Sequence, residues 1–143
     1  MGGKMKITLD AGAVMPTYAH EYDAGLDLYA KKDGDKVMIP PLGGFKVFDT
    51  GVHMAIPQHF CGLVKSRSSM LVKGLKTDGL VDSDYTGSIR VILFNHSEHP
   101  YYVEPGDKIA QVVISPCLRP PLELTDTLEA TDRGDNGFGS TGR

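Results

Sequence analysis

The sequence is poor in several features that would indicate particular classes of protein. It has no tryptophan, only two cysteines, and no apolar run approaching the ~18 residues that a membrane-spanning helix needs. Lysine and arginine total 15 against 18 aspartates and glutamates, which gives a formal net charge of -3. No general basic surface is therefore expected for nucleic acid or an anionic membrane. Any phosphate must be bound by a local arrangement of side chains.

Metal and thiol chemistry has little support in the sequence. The two cysteines, Cys61 and Cys117, lie far apart in apolar runs, and we predict buried free thiols rather than a disulfide. Neither a CxxC pair nor an HExxH helix is present, so no dedicated zinc site is expected. The five histidines show no triad or ligand spacing. The opening MGGKMK lacks the apolar run of a signal peptide, and we expect an intracellular location, cytoplasmic or nuclear.

The distribution of apolar residues favours an all-β fold. A chain of 143 residues suits one domain. Its apolar or alternating runs are short, and turn signals such as KKDGD, PPLGG and EPGD separate them. This pattern predicts an all-β sandwich, jelly roll or barrel with one short helix around residues 68–73. The runs expected to form strands are Met5–Leu9, Lys36–Ile39, Phe45–Phe48, Gly51–Ile56, Phe60–Val64, Ser88–Phe94, Tyr101–Val103 and Ile109–Ile114.

The end of the chain differs in composition from the rest. After Pro120 and Pro121 it becomes polar and then rich in glycine, so we assign residues 1–124 to the β domain and residues 125–143 to a flexible arm. Its G-x-x-G-x-G spacing is not a dinucleotide-binding turn, since no strand precedes it and no helix follows. Such glycine content is typical of a frayed terminus. The alternative is a lid that orders over a nucleotide, because the arm carries phosphate donors and an aromatic ring.

Two further stretches suit nucleotide chemistry, and each also has an ordinary structural reading. SRSSM, at residues 66–70, combines an arginine with hydroxyl groups that can hold phosphate, although serines at a helix start commonly serve as caps. In GLVDSDYTG, at residues 79–87, Asp82 is suited to orient and deprotonate a water, and Tyr85 offers a flat ring for a sugar or base. The same residues suit a turn followed by a half-buried tyrosine.

Two polar residues interrupt apolar runs. Asp27 in AGLDL lies between leucines, and it is either a solvent-facing strand residue or a charge that needs a partner. Gln111 within IAQVVI has a side-chain amide that must be hydrogen-bonded if it is buried, either to the core backbone or to a ligand. The sequence leaves these alternatives open.

The order of five stretches is more specific than any one of them. AGLDL, SRSS, GLVDSDYTG, GDKIAQ and RGDNGFGSTG follow one another over residues 24–142, and they resemble the five motifs of the trimeric deoxyuridine triphosphatases (dUTPases). The resemblance implies a jelly-roll subunit in a homotrimer, with three active sites assembled between subunits. It also implies hydrolysis of dUTP to dUMP and pyrophosphate, with Mg²⁺ carried by the triphosphate. This reaction limits uracil incorporation into DNA and supplies dUMP for thymidylate synthesis.

The resemblance also assigns roles to matching positions. Asp82 would be the general base that orients the water attacking the α-phosphorus, and Tyr85 would lie against the deoxyribose and exclude a 2′-hydroxyl. A hairpin over residues 79–90 would read uracil through its backbone. Gln111 would lie near the phosphates and the water, and Asp27 would support the metal waters or the interface without ligating the metal. The substrate-binding positions implied are Arg67, Ser68, Ser69, Gly79, Leu80, Val81, Tyr85, Arg90, Gln111, Arg133, Phe138, Gly139, Ser140 and Thr141.

Within this scheme the arm contacts both ends of the nucleotide. Phe138 would cover the uracil ring, and the γ-phosphate would be bound by Arg133, Ser140 and Thr141. The chain departs from the family pattern at Lys76, where many members carry an asparagine that helps to bind uracil.

Two other functions compete with dUTP hydrolysis. The first is dCTP deamination on the same fold, which needs a glutamate as proton shuttle beside the base, and no glutamate lies between Lys65 and Asn95. The second is a regulatory binding protein that uses the fold as a nucleotide-gated switch. A pure binder would be expected to lose Asp82 or the arm, and both are present.

Overall fold

The computed structural model describes residues 3–139, and the regular secondary structure in this part of the chain is almost all β-strand, with one short helix. No helix among these residues has the length and apolar content to cross a membrane. The elements are β1 (Ile7–Leu9), β2 (Leu26–Tyr29), β3 (Val37–Ile39), β4 (Gly44–Asp49), β5 (Val52–Met54), β6 (Phe60–Lys65), α1 (Ser68–Leu71), β7 (Leu75–Lys76), β8 (Asp78–Val81), β9 (Arg90–Asn95), β10 (Tyr101–Val103) and β11 (Lys108–Pro116).

The strands form two larger sheets and two strand pairs, and all pairings are antiparallel. The four-stranded sheet has the order β2-β11-β6-β8, and the three-stranded sheet has the order β4-β9-β7. The pairs are β1 with β5 and β10 with β3. Most partners are far apart in sequence, so the fold depends on non-local pairing rather than on simple hairpins.

Alternating side chains along the strands build one core. In β9, Val91 and Leu93 are fully buried while the intervening Ile92 and Phe94 are partly exposed, as expected for a period of two. Leu28 of β2 and Ile109 of β11 are also fully buried, and side chains from both larger sheets belong to the same cluster. Each such apolar side chain contributes about 1.5–3 kcal/mol by leaving water.

The predicted fold class is confirmed, with differences in detail. Each of the eight predicted runs overlaps a strand, and the short helix begins at Ser68 as expected. β2, β7 and β8 lie outside those runs. β7 and β8 consist of Leu-Lys and Asp-Gly-Leu-Val, which are too short and too polar to show strand propensity. Pairing with β9 and β6 makes them strands.

The prediction of two free thiols is wrong, because Cys61 and Cys117 form a disulfide. The pairing of β6 with β11 places Cys61 opposite Ser115, and the N–H of Cys117 donates to the His59 carbonyl at 2.7 Å. The two cysteine Cα atoms are therefore 6.0 Å apart despite a separation of 56 residues, within the range that a disulfide spans.

Candidate active site

Three of the five motif stretches lie side by side on the four-stranded sheet. Gln111 of β11 pairs with Asp27 of β2 on one side and with Lys65 of β6 on the other. SRSS follows directly after β6, so the antiparallel register brings AGLDL, GDKIAQ and SRSS to one place. We call Asp27, Ser66, Arg67, Lys108 and Gln111 the sheet cluster.

Asp27 anchors the sheet cluster. Only 8% of the residue is exposed, and its carboxylate lies 3.3 Å from Lys108 Nζ and 3.9 Å from Arg67 Nε. The solvent-facing alternative is thus excluded, because the charge is buried and paired with two cations. Arg67 is held at the residue that precedes α1, and the side chains of Ser68 and Ser69 are exposed in the first turn.

Gln111 joins the sheet to the segment that carries Arg67. Its Nε2 donates to the Ser66 carbonyl at 3.1 Å, which is the backbone contact that the sequence left as one of two alternatives. A Cβ at Gly25 would lie 2.4 Å from Gln111 Oε1, so any larger residue there would displace the Gln111 side chain. Ser66 Oγ in turn donates to the Thr77 carbonyl and accepts from the Thr77 N–H. These contacts fix the backbone immediately before the arginine.

The segment of residues 79–90 crosses from one sheet to the other, and it is not the paired hairpin that we expected. β8 pairs with β6, whereas β9 pairs with β4 and β7. The intervening residues 82–89, which we call the crossing loop, contain aspartate and glycine and form no ladder. Asp82 is exposed at the start of this loop, where its carbonyl accepts from the Tyr85 N–H at 3.1 Å.

Tyr85 is held flat against the crossing loop. Its hydroxyl donates to the Ser88 carbonyl at 2.7 Å, and 43% of the residue remains exposed. A Cβ at Gly87 would lie 2.7 Å from both Cζ and Oη of the tyrosine, so the ring occupies the space that glycine leaves open. A cavity of about 1110 Å³ adjoins the start of the loop, and Leu80, Asp82 and Arg119 contribute to its lining.

Polar contacts beneath the crossing loop were not foreseen from the sequence. Ser88 Oγ donates to the Asp49 carboxylate, and this hydrogen bond lowers the pKa of Asp49 below its usual value, against an opposing effect of burial. Lys31 Nζ lies 3.5 Å from the same carboxylate. His53 contacts the carbonyl of Thr86. Nothing in GVHMAIP marks this histidine, because its partners are distant in sequence.

The structure therefore gathers some predicted residues and separates others. The sheet cluster holds Asp27, Arg67 and Gln111, and the segment of residues 79–90 holds Asp82 and Tyr85. In the described part of residues 125–143, the hydrogen bonds are internal to the arm, including Arg133 Nε to the Asn136 carbonyl at 2.7 Å. Phe138 is fully exposed. Ser140 and Thr141 lie outside the described residues.

Known proteins with similar sequences and structures agree on one family. The dUTPase family model matches residues 11–142. The deoxyuridine 5′-triphosphate nucleotidohydrolase of Syntrophotalea carbinolica is 41% identical over 138 residues, covering 94% of this chain and 92% of the relative. That of Gloeothece citriformis is 42% identical over 144 residues, with 97% of each chain covered.

A solved structure of the Staphylococcus bacteriophage 80alpha dUTPase with dUpNHpp extends this agreement to the fold. It is 29% identical, has a TM-score of 0.88, and covers 98% of this chain and 99% of the phage chain. The described strands form the jelly roll of such nucleotide hydrolases. The chain belongs to the dUTPase family.

Proposed function

We infer that the chain hydrolyses dUTP to dUMP and pyrophosphate by attack of water on the α-phosphorus. The observation that carries this inference is the convergence of three motif stretches at one place on the sheet, within a chain whose match to the family spans residues 11–142. Phosphoanhydride hydrolysis needs an oriented water and neutralisation of phosphate charge. The carboxylate of Asp82 can orient the water, and the guanidinium of Arg67 can neutralise phosphate charge.

Asp82 is proposed as the general base. Its carboxylate is exposed beside a cavity, so a water can reach it. The attacking water gives a proton to Asp82 while its oxygen bonds to the α-phosphorus, and the bond to the bridging oxygen breaks so that pyrophosphate leaves. Tyr85 is proposed to support the deoxyribose, because its ring is half exposed and fixed at the hydroxyl end.

Arg67, with Ser68 and Ser69, is proposed to bind phosphate oxygens. Asp27 lies 3.9 Å from Arg67 Nε, so the terminal nitrogens of the guanidinium need not be used to hold the carboxylate and can bind a phosphate. Gln111 positions this group through the Ser66 carbonyl. Uracil would be read by residues 79–90, and the arm would cover the nucleotide through Arg133, Phe138, Gly139, Ser140 and Thr141.

The proposed assembly is a homotrimer with sites shared between subunits. Four leucines that follow β11 are at least nine-tenths exposed, and an apolar segment of this kind normally packs against another surface: Leu118, Leu122, Leu124 and Leu128. In residues 125–139 the arm makes no hydrogen bond to its own β domain. Other copies of the chain would accept the arm and complete each site.

Mg²⁺ is proposed to enter with the triphosphate. Among the described residues, no three His, Cys, Asp or Glu side chains are grouped to hold a metal ion. Asp27 is already paired with two cations, which makes it unsuited to ligate a metal directly. Phosphate oxygens are the ligands that Mg²⁺ prefers, and the bound ion would neutralise charge on the leaving pyrophosphate.

An intracellular location remains a prediction. The Cys61–Cys117 disulfide is more typical of oxidising compartments than of the cytosol. Mass spectrometry of the chain after thiol alkylation under native conditions would show which form the protein carries in its own cell.

Pyrophosphate release from dUTP with Mg²⁺, measured beside dCTP, dTTP and UTP, tests the proposed function. Asp82→Asn should lose several orders of magnitude in kcat, while Asp84→Asn, an exposed carboxylate of the same turn, should retain most of it. A chain cut after Thr131 should also lose turnover. Activity that survives in Asp82→Asn would show that the base is misassigned. Release of ammonia from dCTP, or binding of dUTP without turnover, would favour the competing functions.

A further inference from the structure

His53 connects the crossing loop to two distant parts of the chain. It lies on β5, where Nδ1 is 2.7 Å from the Thr86 carbonyl and Nε2 is 3.0 Å from each oxygen of the Asp10 carboxylate. Within residues 3–139, the Thr86 contact is the one hydrogen bond from residues 82–87 to an element outside the loop. The middle of the loop is therefore attached through a single side chain.

Both partners of His53 can only accept hydrogen bonds. The imidazolium has two N–H groups and satisfies both partners. A neutral imidazole has one N–H, and the charged Asp10 carboxylate is a stronger acceptor for it than the Thr86 carbonyl, so deprotonation costs the contact with the loop. The hydrogen bond to Thr86 and then the one to Asp10 raise the pKa of His53 above its ordinary value.

The charges around His53 also favour its protonated form. Asp10 and the more distant Asp49 are both carboxylates, and Lys31 pairs with Asp49. The residue opposite His53 on β1 is the uncharged Thr8. The loop's own carboxylates, Asp82 and Asp84, are exposed and form no ion pair with it in the described structure.

We propose that the His53 imidazolium is a positioning residue that holds the crossing loop in the form that binds dUTP, and that its deprotonation loosens the loop. This proposal rests on the proposed role of Tyr85 and the loop in nucleotide binding. The contribution is complete below the ordinary histidine pKa of about 6.5 and is lost as pH rises through the raised value. Its signature is a rise in KM on the alkaline side, with a smaller change in kcat.

The test compares KM and kcat for Mg·dUTP from pH 6 to pH 9 in the full-length protein and four variants. Wild-type KM should rise at alkaline pH. His53→Gln should show a KM about three- to tenfold higher at pH 6.5 and no such rise, since it loses a charge-assisted hydrogen bond. The KM of His53→Asn should lie between those of the wild type and His53→Gln, because the asparagine amide can donate to Thr86 from the position of Nδ1. Ionisation of the substrate affects the wild type and all four variants alike, so only the difference between their KM profiles reports on His53.

Two further variants separate positioning from a general effect of losing a charge. Asp10→Asn should move the rise in KM to lower pH, because the carboxylate that favours the imidazolium is gone. His20→Gln is the matched control, since His20 also contacts an aspartate, Asp23, but has no hydrogen bond to the loop in the described structure. It should leave the profile unchanged.

An NMR titration of the folded chain gives a readout that does not require activity. The amide signals of Thr86 and Tyr85 should shift with the same midpoint as the His53 ring, and the coupled shift should vanish in His53→Gln. The proposal would be overturned if KM of His53→Gln varied with pH as in the wild type. It would also be overturned if the amide shifts of Tyr85 and Thr86 did not change as His53 titrates. Absence of dUTP turnover with coupled titration would overturn the proposed function while supporting the link between His53 and the loop.

Discussion

Asp27→Asn provides the sharpest test of the sheet cluster. The substitution keeps the shape of the side chain and removes a charge that lies 3.3 Å from Lys108 Nζ and 3.9 Å from Arg67 Nε. At an effective dielectric constant of about 20, each contact corresponds to roughly 4–5 kcal/mol of Coulomb energy. Desolvation and the partial exposure of both cations offset most of this.

We therefore expect Asp27→Asn to lower the free energy of unfolding by about 1–3 kcal/mol, less than the full cost of breaking a wholly buried pair. For a chain of this length that corresponds to a fall in Tm of about 3–10 °C. KM for dUTP should rise as well, because Arg67 loses the contact that orients it. Thermal and urea denaturation at one protein concentration, together with steady-state kinetics, measure both effects.

A matched control is present on the same sheet. Lys65 Nζ lies 3.7 Å from Asp78 Oδ1, but the two side chains are 55% and 76% exposed. Asp78→Asn should therefore change the stability by no more than about 0.5 kcal/mol. Equal losses in the two variants would refute the argument that burial gives the Asp27 pair its importance. An unchanged KM in Asp27→Asn would refute the orienting role.

Three other substitutions test close packing. Gly87→Ala should displace the exposed Tyr85 ring, at a cost in stability of less than about 1 kcal/mol. KM for dUTP should rise about tenfold, and discrimination against UTP should weaken. A normal KM would mean that the ring does not contact the sugar. Gly25→Ala should push Gln111 from its carbonyl partner and cost about 1 kcal/mol or more in denaturant melts. In a Gln111→Ala background the cost should fall, because only the Cβ of residue 111, 3.0 Å away, still crowds the new methyl group. An undiminished cost there would contradict the mechanism. Leu28→Ala, at a fully buried position, should lower the free energy of unfolding by about 2–5 kcal/mol, and a loss below about 1 kcal/mol would show that the core relaxes around it.

The strands that the sequence predicted are those whose pattern is local. Val91 and Leu93 alternate with partly exposed neighbours, and this period of two is visible without any knowledge of the partner strands. β8 is different, because Asp78 and Gly79 have little strand propensity and only the ladder with β6 makes them extended. Tertiary pairing decided that element, so no local pattern could reveal it.

The candidate site also contains residues that the local sequence indicates and contacts that depend on the folded chain. Asp82 and Tyr85 stand together in a recognisable stretch, so the sequence was enough to single them out. The Cys61–Cys117 bond and the contacts of His53 depend on strands that meet only in the folded chain. The sequence left Asp27 as either a solvent-facing residue or a charge that needs a partner. Its two partners follow from the registers of β2 with β11 and of β11 with β6. The roles assigned to the arm stay predictions.

The crossing loop has a consequence for how the whole domain responds to its ligand. Residues 79–90 leave one sheet and enter the other, so the segment that we propose to bind the nucleotide is covalently joined to both sheets. We therefore predict that a bound nucleotide opposes separation of the two sheets and makes them unfold as one cooperative unit. Slower amide exchange would then extend to core strands such as β4 and β11, which lie far along the chain from the loop itself.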